Sequence, residues 1–209
     1  MGGNQYFKNV LKNSLIVLKG NIGSNIFGLI SLSIFTQVMG SELFGYYTLI
    51  IVYIGIIDRI FNFQTWQAFV KYATDFIEKK EEYNLIMLLK YCFIVDLFSL
   101  LIATLVSLIL SKYLTYYFNI PHDYYPLVLL MSLTIIFKIF EISVGIFRVF
   151  DQFKLQADIE IISSIFKFLL FGLVALISPS FNLFIYATAL AQLLTMIIKC
   201  YLSIKVLKK

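Results

Sequence analysis

Four charged residues stand near the middle of long apolar runs: Asp96, Lys138, Glu141 and Lys167. A charge near the centre of a bilayer costs about 2.5–3.5 kcal/mol on insertion scales, so it survives only when it faces a partner, a bundle interior or water. The four charges sum to zero. Lys138 and Glu141 are separated by three positions and share one helix face. Two readings follow. The residues pair with one another and lock helices together, or they line a hydrated cavity for a charged or highly polar cargo. A cavity lined by compensated charges satisfies both. Asp58 and Arg59 lie nearer the end of their own apolar run. Adjacent residues point about 100° apart on a helix, so these two are not a facing pair. Arg59 either snorkels to the headgroups or presents a cation to substrate.

Two uncharged stripes accompany the charges. Gly20, Ser24 and Gly28 repeat every fourth position, a spacing of small residues that permits close helix packing. Asn21 and Asn25 run beside it. Further on, Thr188, Gln192, Thr195 and Lys199 fall on one face of a single helix. Lipid penalises such a face, so it should point inward, toward either interhelical hydrogen bonds or cargo. The candidate cavity-lining residues are therefore Asn25, Arg59, Asp96, Lys138, Glu141, Lys167 and Gln192.

Other chemistry has little to stand on. There is no GxxxxGK[ST], GxSxG or HExxH. His122 is the single histidine, beside Pro121 and Asp123 in a loop. Cys92 and Cys200 fall inside apolar runs without metal or redox spacing and read as buried structural thiols. No basic run with interleaved aromatics suggests a nucleic-acid partner. The expectation is a non-enzyme without cofactor or metal.

The elements that must position these residues follow from composition. The chain has 209 residues, 60% hydrophobic and 14% charged, with a mean hydropathy of +0.88. Soluble domains run near 45–50% apolar and about 25% charged. A spanning helix needs about 20 apolar residues. Six spans are expected, at about 15–39, 44–63, 85–110, 124–147, 155–177 and 181–204. They form an all-α, polytopic membrane helix bundle as a single unit over residues 1–209. Gly40-Ser41-Glu42 is expected as a tight turn, and Ser178-Pro179-Ser180 as a helix break. Between Trp66 and Asn84, apolar residues recur at helical spacing among charges, which predicts an amphipathic helix at the membrane surface. The first apolar run is too long for a signal peptide and lacks a cleavage site.

With six spans both termini share a side. That side holds thirteen of the 17 Lys and Arg, Lys112 alone lies opposite, and Arg59, Lys138 and Lys167 fall within spans. By the positive-inside rule the termini are expected in the cytoplasm, and a net charge of +5 fits contact with anionic membrane lipid.

Three segments carry a family resemblance. VMGSELFGYYTLI resembles the segment joining the first two helices of Wzx-type polysaccharide and O-antigen flippases. FNFQTWQAFVKYATDFIEKK resembles the segment after their second helix, and GIFRVFDQFKLQA their fourth-to-fifth connection. These flippases belong to the multidrug/oligosaccharidyl-lipid/polysaccharide exporter superfamily. The resemblance implies one lobe of a MATE-like transporter in the bacterial inner membrane, turning over a polyprenyl-pyrophosphate-linked oligosaccharide. Interior cations would suit the pyrophosphate and polar stripes the sugars. Members of this family generally carry about twelve to fourteen spans in two lobes. Six spans correspond to the N-terminal lobe, so the resemblance implies a truncated or split form, a second six-helix lobe or a homodimer. A half-sized drug or cation exporter, or a non-transporting assembly partner, is the alternative.

Overall fold

The computed structural model describes residues 3–208. Lys209, counted above among the basic residues, lies outside them. The described chain is helical, in the order α1 (Gly3–Phe61), α2 (Thr65–Glu78), α3 (Glu82–Tyr117), α4 (Tyr125–Leu133), α5 (Ser143–Val149), α6 (Phe153–Ile177) and α7 (Phe181–Leu207). Short 3-10 segments occupy His122–Tyr124 and Thr134–Phe140. Helices of this length and hydropathy build a polytopic membrane bundle.

Helix α1 is too long for one span. Its apolar part, Val10–Phe61, has 52 residues, about 78 Å at 1.5 Å per residue, against a hydrocarbon core of about 30 Å. It folds back at Gly40, where φ is 82° and ψ 174°, a region open essentially only to glycine. The ring centroids of Phe35 and Tyr47 are 4.9 Å apart, whereas twelve residues of straight helix would separate them by about 18 Å. The reversal expected over three residues is confined to one, and Ser41 and Glu42 are already helical.

The fourth span is composite. His122–Val149 crosses as one apolar stretch, but its middle, Thr134–Phe140, winds as 3-10 between α4 and α5. Runs of this tighter helix longer than three or four residues are uncommon and often mark a hinge or local strain.

Helix α2 is amphipathic as expected, but its apolar stripe faces protein. Phe69 and Ala73 are fully buried in a cluster with Cys92, Ile142, Ile146, Phe147, Ile159 and Val206. Gly145 makes this possible, since a Cβ there would stand 3.0 Å from the Trp66 carbonyl oxygen. An apolar stripe at helical spacing suits a lipid surface and a helical neighbour equally, so the sequence pattern does not separate the two.

The small residues of α3 form the complementary rail. The Ser99 hydroxyl donates to the Phe61 carbonyl, and the Cys92 thiol lies 3.9 Å from the Thr65 carbonyl. Ser107 donates to Ser132 at 2.8 Å. On the other flank, α1 crosses α6 at Gly20, where an added Cβ would lie 2.6 Å from Ala157 Cβ. Gly28 has no neighbour within 4 Å of such a Cβ, so the small-residue stripe works at its first member. The larger core gathers around Phe35, Tyr47, Phe171, Phe181 and Phe184, toward the Gly40 end of the bundle.

Candidate functional site

Asp58 in the last turn of α1 and Asn62, the residue just past its end, stand one turn apart, the Asn62 N–H donating to the Asp58 carbonyl at 2.8 Å. Opposite them lies the 3-10 segment. In a 3-10 helix side chains three positions apart eclipse one another. Lys138 and Glu141 therefore point the same way, Lys138 toward Asp58 and Glu141 toward Asn62. The Lys138 ammonium meets the Asp58 carboxylate at 2.5 Å. The Asn62 amide donates to Glu141 at 2.6 Å and lies 3.5 Å from Asp58. Lys138 and Glu141 thus share a face, as expected, but the partner of Lys138 is Asp58 and not Glu141. Asp58 is 8% exposed, which makes it a buried carboxylate held by one cation.

The second wall comes from α7. Gln192, Thr195 and Lys199 face Lys138 and Glu141 across a cavity of about 180 Å³, with Phe137, Phe140 and Met196 between them. Lys199 reaches Glu160 of α6 at 3.5 Å. Thr195 returns its hydroxyl to the Ala191 carbonyl of its own helix. Thr188, at the head of the same stripe, is buried elsewhere: its hydroxyl pairs with that of Tyr47 at 3.1 Å, inside the aromatic core. The polar face of α7 therefore divides between core and cavity.

Three of the seven candidates, Lys138, Glu141 and Gln192, meet in this cavity. The other four lie apart from it. Asp96 is buried beside Thr65, the first residue of α2, with Glu141 as a further polar neighbour. Lys167 lies 5.2 Å from the Phe171 ring centroid and 5.8 Å from that of Tyr47, and has no carboxylate partner among the described residues. Arg59 and Asn25 are exposed on α1.

Sequence reasoning passed over Asp58 as a partner, and over Asn62 altogether. Depth along the spans identifies the first. The second and fourth spans begin at about 44 and 124 and run the same way, so Asp58 and Lys138 stand equally deep. Asn62 sits one turn further on the same face.

The cavity offers hydrogen-bond donors and acceptors and near-balanced charge, flanked by phenylalanines. Such a mixture suits a polar, hydroxyl-rich ligand. The family described as Polysaccharide biosynthesis protein matches residues 10–209. The chain belongs to this family. The Inner membrane protein YghQ of Escherichia coli (strain K12) is 25% identical over 151 residues, covering 72% of this chain and 42% of that relative. The chain thus spans less than half the length of the curated relative it matches. No solved structure matches it. Membership of this family associates the membrane bundle with polysaccharide biosynthesis.

Proposed function

We propose that the chain is one lobe of a flippase that moves a polyprenyl-pyrophosphate-linked oligosaccharide across the bacterial inner membrane during cell-surface polysaccharide synthesis. It catalyses no reaction. The observation that carries this reading is the polar cavity between the 3-10 segment and α7, built inside a membrane bundle of the polysaccharide biosynthesis family. Gln192, Glu141 and Lys199 present groups suited to sugar hydroxyls. Lys199, in the cavity wall, also offers an ammonium to phosphate. A second lobe, from another chain or a second copy, closes the cavity, because alternating access needs two bodies with a site between them. Both termini face the cytoplasm, in keeping with the bias of basic residues.

The test is reconstitution in vesicles with a labelled polyprenyl-pyrophosphoryl oligosaccharide, with cross-linking in the same preparation. Translocation by a dimer, or after adding a six-helix partner chain, supports the reading. Translocation by a demonstrated monomer overturns the one-lobe part. Export of a cationic dye without movement of the oligosaccharide overturns the cargo. Cysteine labelling of intact cells should reach a probe near His122 and not one near Lys80.

A further inference from the structure

At the end of the bundle that carries α2, Arg148 of α5 occupies an unusual position. Its guanidinium stacks over the Trp66 ring, with Cζ 4.4 Å from the centroid. Its Nε is shielded from solvent and has no hydrogen-bond partner. No carboxylate pairs with it among the described residues. Asp151, three positions on, directs its carboxylate to the Asn13 amide instead, at 2.9 Å. Arg148 lines a pocket of about 470 Å³ against the first turns of α1. The polar part of that pocket is Asn13, Ser14 and Asn21, and the remainder is aliphatic or aromatic.

A guanidinium has five N–H donors in a planar fork that matches phosphate oxygens, and stacking on an aromatic face pre-orients it. The Ser14 hydroxyl and Asn21 amide in the same pocket add neutral donors, while the Asn13 amide is already held by Asp151. The aliphatic lining takes an apolar chain. Together these features describe an amphiphile with a phosphate at its polar end. We propose that Arg148, with Ser14 and Asn21, binds the phosphate headgroup of a membrane lipid. This site is separate from the Lys138–Gln192 cavity and does not depend on the cargo assigned there. The phosphate belongs to either of two sources, a glycerophospholipid of the bilayer or a polyprenyl phosphate carrier.

Native mass spectrometry of the full chain in detergent tests the proposal. The probes are phosphatidylglycerol, polyprenyl phosphate and diacylglycerol, which has the tails without the phosphate. At least one phosphate lipid should be retained about tenfold more than diacylglycerol. Retention of phosphatidylglycerol alone identifies the bilayer source, and of polyprenyl phosphate alone the carrier. Arg148→Gln should remove most of the preference. Asn21→Leu, at an exposed position where the fold is not at stake, should weaken it about threefold. Equal retention of all three lipids by the unmodified chain overturns the proposal. So does an undiminished preference in Arg148→Gln that still melts as the parent does. If Arg148→Gln does not fold, an undiminished preference in Asn21→Leu overturns the part assigned to α1.

Discussion

The aromatic core near Gly40 and the charged cavity near the end of α1 use the same helices for opposite purposes. In the first, Phe35 is fully buried among Tyr47 at 4.9 Å and Phe184 at 4.8 Å, with Phe171 and Phe181 just beyond. Four spans meet there through one ring, with the Tyr47–Thr188 hydroxyl pair as a polar link and the Lys167 ammonium over the Tyr47 and Phe171 rings. In the second, the fourth span tightens into 3-10 and its side chains meet acids, amides and a groove. The core is closed and held by dispersion and shape. The cavity is held by charge, and its polar groups are only partly enclosed. In a membrane no hydrophobic drive sorts one from the other, since lipid tails are as apolar as leucine. What separates the regions is whether polar groups on facing helices reach one another.

The contrast can be broken most severely in the core. Phe35→Ala should destabilise the purified chain by about 3–5 kcal/mol, as truncating a buried aromatic does. Its effect on transport should follow the amount of folded protein and nothing else. Unfolding in mixed detergent alongside transport per folded molecule checks both statements.

The ion pair comes next, and it should be asymmetric. Lys138→Met leaves Asp58 buried without its cation and should cost about 2–4 kcal/mol. Asp58→Asn should cost less, because the Lys138 side chain is 39% exposed and can turn to the groove. The double variant should be more stable than Lys138→Met alone. Combining Lys138→Met with Glu141→Gln should give nearly additive losses. Strong coupling between Lys138 and Glu141, with none between Lys138 and Asp58, would reverse the assignment.

Smaller still is the crossing of α1 on α6. Gly20→Ala places a methyl 2.6 Å from Ala157 Cβ, and such overpacking costs about 1–3 kcal/mol. Adding Ala157→Gly should return part of the loss. Failure of that second change to help would show that the two helices do not meet there.

The smallest effect on stability is expected at Gln192, which is partly buried in the cavity wall. Gln192→Ala should change stability by less than about 0.5 kcal/mol. It should nonetheless lower transport per folded molecule several-fold. Equal activity at equal protein level would remove Gln192 from the cargo path and weaken the contrast between the two regions.

Much of the architecture was legible from local chemistry. Long apolar runs interrupted at Gly40, Pro121 and Pro179 mark the spans, because unpaired backbone groups are excluded from lipid and each run must close its own hydrogen bonds. The face shared by Lys138 and Glu141 was legible from spacing alone, as was the amphipathic stripe of α2. What the stripe packs against was not. Phe69 and Ala73 meet α3 and α5, and an apolar stripe carries no mark of which apolar surface it will cover.

The sequence by itself determined that this is a helical membrane bundle with compensated charge inside it. Those properties depend on the hydropathy and charge of each segment, which neighbours in space do not alter. Only the tertiary structure decided who meets whom. It paired Lys138 with Asp58, left Lys167 between two aromatic rings and divided the α7 stripe between core and cavity. The physical reason is range. Periodicity fixes which side of a helix a residue occupies, while partners some eighty positions apart are chosen by how whole helices cross and where one of them tightens into a 3-10 turn.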